Sequence, residues 1–493
     1  MSLSKLAMLA LAGVSAFALP ALAQTKDSVT LCMTLEPPIL DPTQGAAQAI
    51  KEVTYGNIFE GLVAQDRSAR IVPKLAESWT ISPDSLTYTF KLRPGVKFHD
   101  GSDFTSADVK FSFERAVAPE SKNATKKVFA PITSIETPDP LTVKITLKEV
   151  SANFLFGLSF GDASILSPKS VADAATKPVG TGAYKYADWS RGNRLQYTRN
   201  DAWWGGKAAI KDVTYRFMPD PQAQLAAIQS GDCDALTNFG AAESIDVLKK
   251  NAALKVVFGN TEGETILAMN NTKPPFNDLR VRKAIAHAID RKLVIDGAMN
   301  GSASPIGSHF SPNHPAYVDL TGAVPFDPAK AKALLKEAGF PNGFSTTLKL
   351  PPPAYARRSG EVVAAMLADV GIKVSIEPVE FPQWLERVYK NKEYDLSIIS
   401  HTEPLDIDVY ARDDYYFNYK SDAFKALIKQ AETTVDDAAR FKIYGEAQKK
   451  LVEDQVNVFL FMLPKATVSK AGLNGMWENW PLPVTPATDL SWK

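Results

Sequence analysis

The sequence predicts an α/β protein built from more than one lobe, on three observations. At 493 residues the chain is longer than one hydrophobic core ordinarily organises, so two or three lobes are expected. Stretches with the two-residue period of a half-buried strand recur along it, residues 85–93 being the clearest. Amphipathic helical stretches with recognisable caps lie between many of them, the alternation of an α/β sheet. Hydrophobic residues make up 45% and charged residues 22%, which indicates neither a disordered nor a fibrous chain. Basic and acidic residues are equal at 55 each, so nothing favours nucleic acid as a partner.

From the N-terminus, Lys5 supplies a weak positive start and residues 6–19 an apolar stretch. Ala21-Leu22-Ala23 is a small-residue cleavage site before Gln24, completing the layout of a secretory signal over 1–23. A membrane anchor would need about 20 apolar residues and a different flank. No later window is apolar enough to span a bilayer, so an exported product is expected. Residues 29–35 read as a strand, and Ile50, Val53, Ile58 and Leu62 as the face of a helix over 48–63. Residues 85–93 follow the turn Pro83-Asp84-Ser85, and 96–98 read as a short return strand stopped by Asp100-Gly101. Trp79 leads into this hairpin and Phe98 closes it. Thr105 caps a helix to 116 with Asp108 in its first turn, and 132–147 hold a second strand pair around Pro138-Asp139-Pro140.

Gly180 and Gly182 around Thr181 permit a tight chain reversal; the Lys-Ser/Thr that would follow a phosphate-cradling loop is missing. A helix over 221–230 precedes a strand over 231–236. A strand over 264–270 leads through a loop to Asp278, which caps a helix running to 299 on the face Ala284, Ile285, Ala288, Ile289 and Leu293. Asp327 caps the next helix, with Pro328 in its first turn and Gly339 at its end. Strand and helix alternate over 347–350, 358–370, 373–378, 384–391 and 395–400, then a helix over 440–455 and a buried strand over 457–462. Cys32 and Cys233 each lie in a strand-like run, and no CxxC spacing suggests zinc or redox chemistry.

Three long phrases carry a resemblance. PKLAESW at 73–79 is followed by YTFKLRPGVKFHDG at 88–101 and FTSADV at 104–109; NNTKPPFNDLRVRKAIAHAIDR spans 270–291; DPAKAKALLKEAG spans 327–339. Together with VGTGAY at 179–184 and NDAWWGG at 200–206 they closely resemble the family 5 extracellular solute-binding proteins, receptors of peptide, nickel and opine ABC importers. The resemblance implies a two-lobed periplasmic-binding-protein fold with a hinge, the first lobe enlarged by an inserted subdomain. It places the first lobe at 24–66, 184–268 and 469–493, the insertion at 67–183 and the second lobe at 269–468, with crossings near 267–271 and 466–470. It further implies a monomer with no cofactor that traps a small-molecule ligand, meets the membrane only through ABC permease subunits and works in the periplasm. Both cysteines would lie in one sheet of that fold, which makes pairing possible. Adjacent parallel strands rarely have disulfide geometry, so two buried thiols are expected.

An enzyme reading finds little to stand on. Gly-x-Ser-x-Gly and His-Glu-x-x-His are both absent. The five histidines are His99, His287, His309, His314 and His401; His287 is placed on the polar side of its helix. His309 and His314 sit five apart in a Pro-rich loop without a visible third metal ligand. The stretch 400–417 follows a strand at its carboxyl end, where α/β proteins bind ligands, and mixes aromatics with acids and one arginine. The family places its ligand-reading loop there. Its peptide-binding members carry an aspartate three residues before the acid of an E/D-P pair, and Ser400 stands in that place. Their carboxylate-binding arginine aligns near Leu350. With both anchors missing, short zwitterionic peptides are expected to bind poorly. A small polar solute is expected instead: an opine, a sugar or an amino-acid conjugate. The expected ligand set is Trp384, Tyr410 and Tyr415 for stacking, His401, Glu403 and Asp406 for hydroxyls or an amine, Arg357 or Arg412 for a carboxylate, and Gln48 and Asn270 from the first lobe. The alternatives are a di- or oligopeptide receptor, then a nickel or metal-chelate binder, then a secreted hydrolase.

Overall fold

A computed structural model describes residues 26–240, 244–402, 405–482 and 484–493; the predicted signal and Glu403 lie outside the described residues. One long mixed sheet runs through both lobes. At one end the parallel set Ser28–Met33, Asp212–Phe217 and Ala235–Leu236 is extended by the antiparallel strands Arg194–Arg199 and Tyr184–Ser190. At the other end Ser345–Leu350 pairs in parallel with Lys373–Pro378 and Leu396–His401. Between them lie two long antiparallel strands, Leu254–Met269 and Asn457–Lys470. Leu254 to Asn260 faces Lys470 to Pro464 on the first-lobe side, and Glu264 to Ala268 faces Met462 to Asn457 on the second-lobe side. These two strands are the hinge.

Burial explains the composition of each part. Leu396–His401 is almost continuously buried, as a strand covered on both faces must be. One face packs Leu348, Leu396 and Ile398 with Ile285 and Leu367; the other packs Ile399 with Trp384, Tyr394 and Tyr416. The first lobe has its own core around Leu31, Tyr197, Val213 and Tyr215. The insertion carries a four-stranded antiparallel sheet, Ala76–Ile81, Thr87–Leu92, Thr142–Leu147 and Ile132–Asp139, backed by the helix Ser106–Val117.

Family phrases far apart in sequence meet at one buried carboxylate. Glu60 accepts from the Thr181 hydroxyl at 2.9 Å and from the indole N–H groups of Trp204 at 2.9 Å and Trp203 at 3.3 Å. It also pairs with Lys74 at 3.3 Å. His99 closes the same junction: its Nδ1 accepts from the Gly180 N–H, so Nε2 carries the proton and donates to the Gly182 carbonyl at 2.9 Å. Burial holds this imidazole down to about 4, which keeps it neutral. The two glycines serve close approach rather than a reversal. A Cβ on Gly180 would lie 2.0 Å from the Ile58 carbonyl oxygen, and one on Gly182 2.2 Å from that of Asn57.

Several elements differ from the sequence reading. The hairpin partner of Thr87–Leu92 is the preceding strand Ala76–Ile81; residues 96–98 contribute only a bridge from Lys97 to Asp103. The helix beginning after Asp278 ends at His287, and Asp290 caps a second one, Arg291–Met299, by accepting from Lys292 and Leu293. His287 is buried, with Nδ1 2.7 Å from the Pro325 carbonyl oxygen. The helix expected over 48–63 is one short turn pair, Gln48–Thr54.

Cys32 and Cys233 form a disulfide with Cα atoms 5.9 Å apart, which corrects the expectation of two thiols. Cys233 precedes the strand Ala235–Leu236 instead of lying in it, so its Cβ is not bound by the side-by-side geometry of parallel strands. The bond closes a span of 201 residues, for which the chain-entropy model gives about 5 kcal/mol as an upper figure. Replacing both cysteines by alanine is expected to lower unfolding stability by about 2–5 kcal/mol in urea titration. Thiol assay of the denatured, unreduced protein should find none free; two free thiols per chain would contradict the assignment.

Candidate functional site

The lobes, the insertion and the hinge enclose a cleft of about 1290 Å³. Its floor comes from an irregularity in the hinge strands. Between Asn260, opposite Pro464, and Glu264, opposite Met462, the first strand holds three residues where the second holds one. The Thr261 hydroxyl donates to the Leu463 carbonyl and accepts from the Gly263 N–H, both at 3.0 Å, which fixes the bulge. Bulges re-aim side chains, and here Thr261, Glu262 and Gly263 line the cleft. Burial first, and then the neighbouring Asp406 carboxylate, push the Glu262 carboxyl up to about 7.

Behind this floor Glu264, His309 and Asp406 form a buried bridge. His309 Nδ1 is 3.2 Å from Glu264 Oε1, and Nε2 is 3.0 Å from Asp406 Oδ1. Their ligand-capable atoms lie within 4.8 Å of one another. The acids occupy the two edges of one imidazole, and a single ion could take only one ring nitrogen, so the geometry is that of a carboxylate–imidazole–carboxylate bridge. Burial pushes the Asp406 carboxyl up, but His309, together with His401 and Lys127, outweighs it and the group ends below its ordinary range. His314 stands apart, stacked on Phe310 at 4.3 Å with Nδ1 accepting from the Ala316 N–H; burial holds it down to about 3.

Charge of both signs faces the cleft. Lys51 and Asp162, both largely buried, pair at 3.0 Å; Arg412 pairs with Asp408 at 2.6 Å. Arg358, Lys127 and Lys429 also line it, and none has an ion-pair partner among the described residues. At the rim the insertion touches the second lobe directly. The Ala152 N–H donates to the Glu432 carbonyl at 2.8 Å, and the Asn153 amide to the Tyr444 hydroxyl at 2.9 Å.

Of the expected ligand set, Gln48, Asp406, Arg412 and Tyr415 line the cleft. Glu403 lies outside the described residues, and the remaining five have structural partners. Asn270 spans a loop, donating to the Lys392 and Tyr394 carbonyls and accepting from Asn418. Trp384 is buried and donates to Ser397. Tyr410 is buried against Phe417 and takes a bond from Asn457. His401 is buried with Nε2 2.9 Å from the Tyr416 hydroxyl. Arg357 lies 3.9 Å from Glu380 and is absent from the cleft lining, whereas the next residue, Arg358, belongs to it. Sequence reasoning missed Glu262. The signal available was Gly263 inside a strand pattern, a mark of a bulge.

The family model of bacterial extracellular solute-binding proteins, family 5, matches residues 70–423. The glutathione-binding protein GsiB of Pectobacterium atrosepticum is 34% identical over 350 residues, covering 70% of this chain and 68% of that protein. Among solved structures, the periplasmic binding protein DppA of Helicobacter pylori with the peptide STSA is 28% identical, with a TM-score of 0.77 over 95% of this chain and 98% of that one. AgaA of A. tumefacien R10 with agropinic acid is likewise 28% identical, with a TM-score of 0.75 over 94% and 99%.

His309→Ala would leave two buried carboxylates facing each other without the imidazole that separates them, at a cost of about 3–5 kcal/mol. Urea titration should show that loss, and adding Glu264→Gln should recover part of it. An unchanged unfolding midpoint would contradict the bridge.

Proposed function

Because the chain belongs to the bacterial extracellular solute-binding proteins of family 5, whose members are non-enzymatic transport receptors, we propose that it captures a short peptide or peptide-like conjugate and delivers it to the permease of an ABC importer. The observation that carries this reading is the cleft itself. Its volume, about 1290 Å³, exceeds the roughly 300–1,000 Å³ typical of sites for small compounds. Carboxylates at Glu262 and Asp406 and cations at Arg358, Lys127 and Lys429 line it, so it offers partners to both ends of a zwitterion.

Ser400 and Leu350, which stand where peptide-binding members carry their charged anchors, are both engaged in the fold. The Ser400 hydroxyl bonds Thr265 and its N–H donates to the Tyr355 hydroxyl; Leu350 is buried in a second-lobe core. Cleft charge comes from other positions, so their lack of charge does not count against a peptide. The glutathione and STSA ligands of the two relatives support the same class. A small polar solute such as an opine is the second reading, favoured by the likeness to the agropinic-acid-bound protein. The signal-like segment at 1–23 supports export to the periplasm with cleavage after Ala23. No helix among the described residues is long and apolar enough to cross a membrane.

Thermal denaturation with glutathione, tri- and tetrapeptides, agropinic acid and a nickel–histidine complex separates these readings, since a ligand adds RT ln(1 + [L]/Kd) to stability. Peptides or glutathione should raise the Tm by several degrees at millimolar concentration. A shift with agropinic acid and none with any peptide would overturn the proposal.

A further inference from the structure

We infer that Glu262, carried into the cleft by the hinge bulge, receives the ammonium group of the bound peptide, with the Asp406 carboxylate facing the same charge. This rests on the peptide reading above and names the end of the ligand that the hinge recognises.

Glu262, Glu264 and Asp406 bring three carboxylates to this end of the cleft; the His309 imidazole lies between the latter two, and Lys127 acts on Asp406. No ion pair or hydrogen bond holds Glu262 among the described residues. Lys51 and Arg412 are committed to Asp162 and Asp408. Glu262 is therefore a half-buried acid acted on by another acid, Asp406, an arrangement that costs free energy unless a cation arrives. A ligand ammonium relieves both the desolvation and the repulsion.

Glu262 belongs to the hinge strand, and Asp406 to the second-lobe loop that follows Leu396–His401. Like charges from two parts of the molecule therefore meet in the cleft, and a cation between them would tie the two parts together. The Thr261 bonds that fix the bulge are made within the hinge strands themselves and hold Glu262 at the cleft. A bulge held by its own side chain is a device for aiming one residue, and the residue so aimed is an acid in a binding cleft.

Calorimetric titration tests this with two probe pairs, trialanine against N-acetyl-trialanine and glutathione against N-acetyl-glutathione. Wild-type protein should bind at least one free amine at least tenfold more tightly than its acetylated partner. Glu262→Gln, of the same shape, should erase that preference by weakening the free amine while leaving the acetylated probe unchanged; Glu262→Ala runs the same cycle as a second variant. A preference retained in both variants would overturn the assignment while leaving the peptide reading intact. Failure of the wild-type protein to bind any of the four probes would sink the peptide reading, and the assignment with it.

Discussion

The two long hinge strands are the constraint on which the rest depends. Leu254–Met269 and Asn457–Lys470 pair with each other along their length, and each end of the pair is built into the sheet of a different lobe. Main-chain hydrogen bonds therefore hold the lobes at a fixed spacing, and bending is confined to where that ladder is broken. The break, at residues 261–263, lies at the bottom of the cleft. The break in the ladder and the lining of the cleft are thus the same three residues. That coincidence is how a small ligand can bias a rearrangement of two domains: contacts made at the pivot act on the motion itself.

Buried polar groups hold the parts around the hinge in register. Glu60 draws together Lys74, Thr181, Trp203 and Trp204, residues from three separate phrases. Its carboxylate is fully desolvated, so loss of any one partner leaves charge or an acceptor oxygen unsatisfied. The Glu264–His309–Asp406 bridge does the same on the second-lobe side, fixing the loop that carries Asp406 to the strand that carries Glu262. These nodes give a physical reason for the spelling of the phrases: the residues that look like a family mark are those whose polar atoms meet at the junctions.

Much of this fold is legible in the sequence because it rests on local rules. The alternation in Thr87–Leu92, the Asp278 and Asp327 caps and the βα alternation of the second lobe all depend on near neighbours. What sequence reading misses depends on distant contacts. Tyr410, Trp384 and Asn270 have the chemistry of ligand residues, yet tertiary packing spends their polar atoms on Asn457, Ser397 and the backbone. Arg357 and Arg358 are neighbours that a helix turns to different surroundings, and only the structure decides which reaches the cleft. The disulfide escaped because a two-residue offset places Cys233 ahead of its strand. Glu262 escaped because a bulge changes the face to which a strand residue belongs, and no periodicity argument survives that shift.

The central claim is that the hinge bulge reads the amine end of a peptide held between the lobes. A crystal structure of the protein grown with a bound tripeptide tests it most directly. The account predicts the peptide in the cleft with its ammonium nitrogen about 3 Å from the Glu262 carboxylate. A peptide lying in the opposite sense, with its carboxylate toward Glu262, or seated outside the cleft, would contradict it.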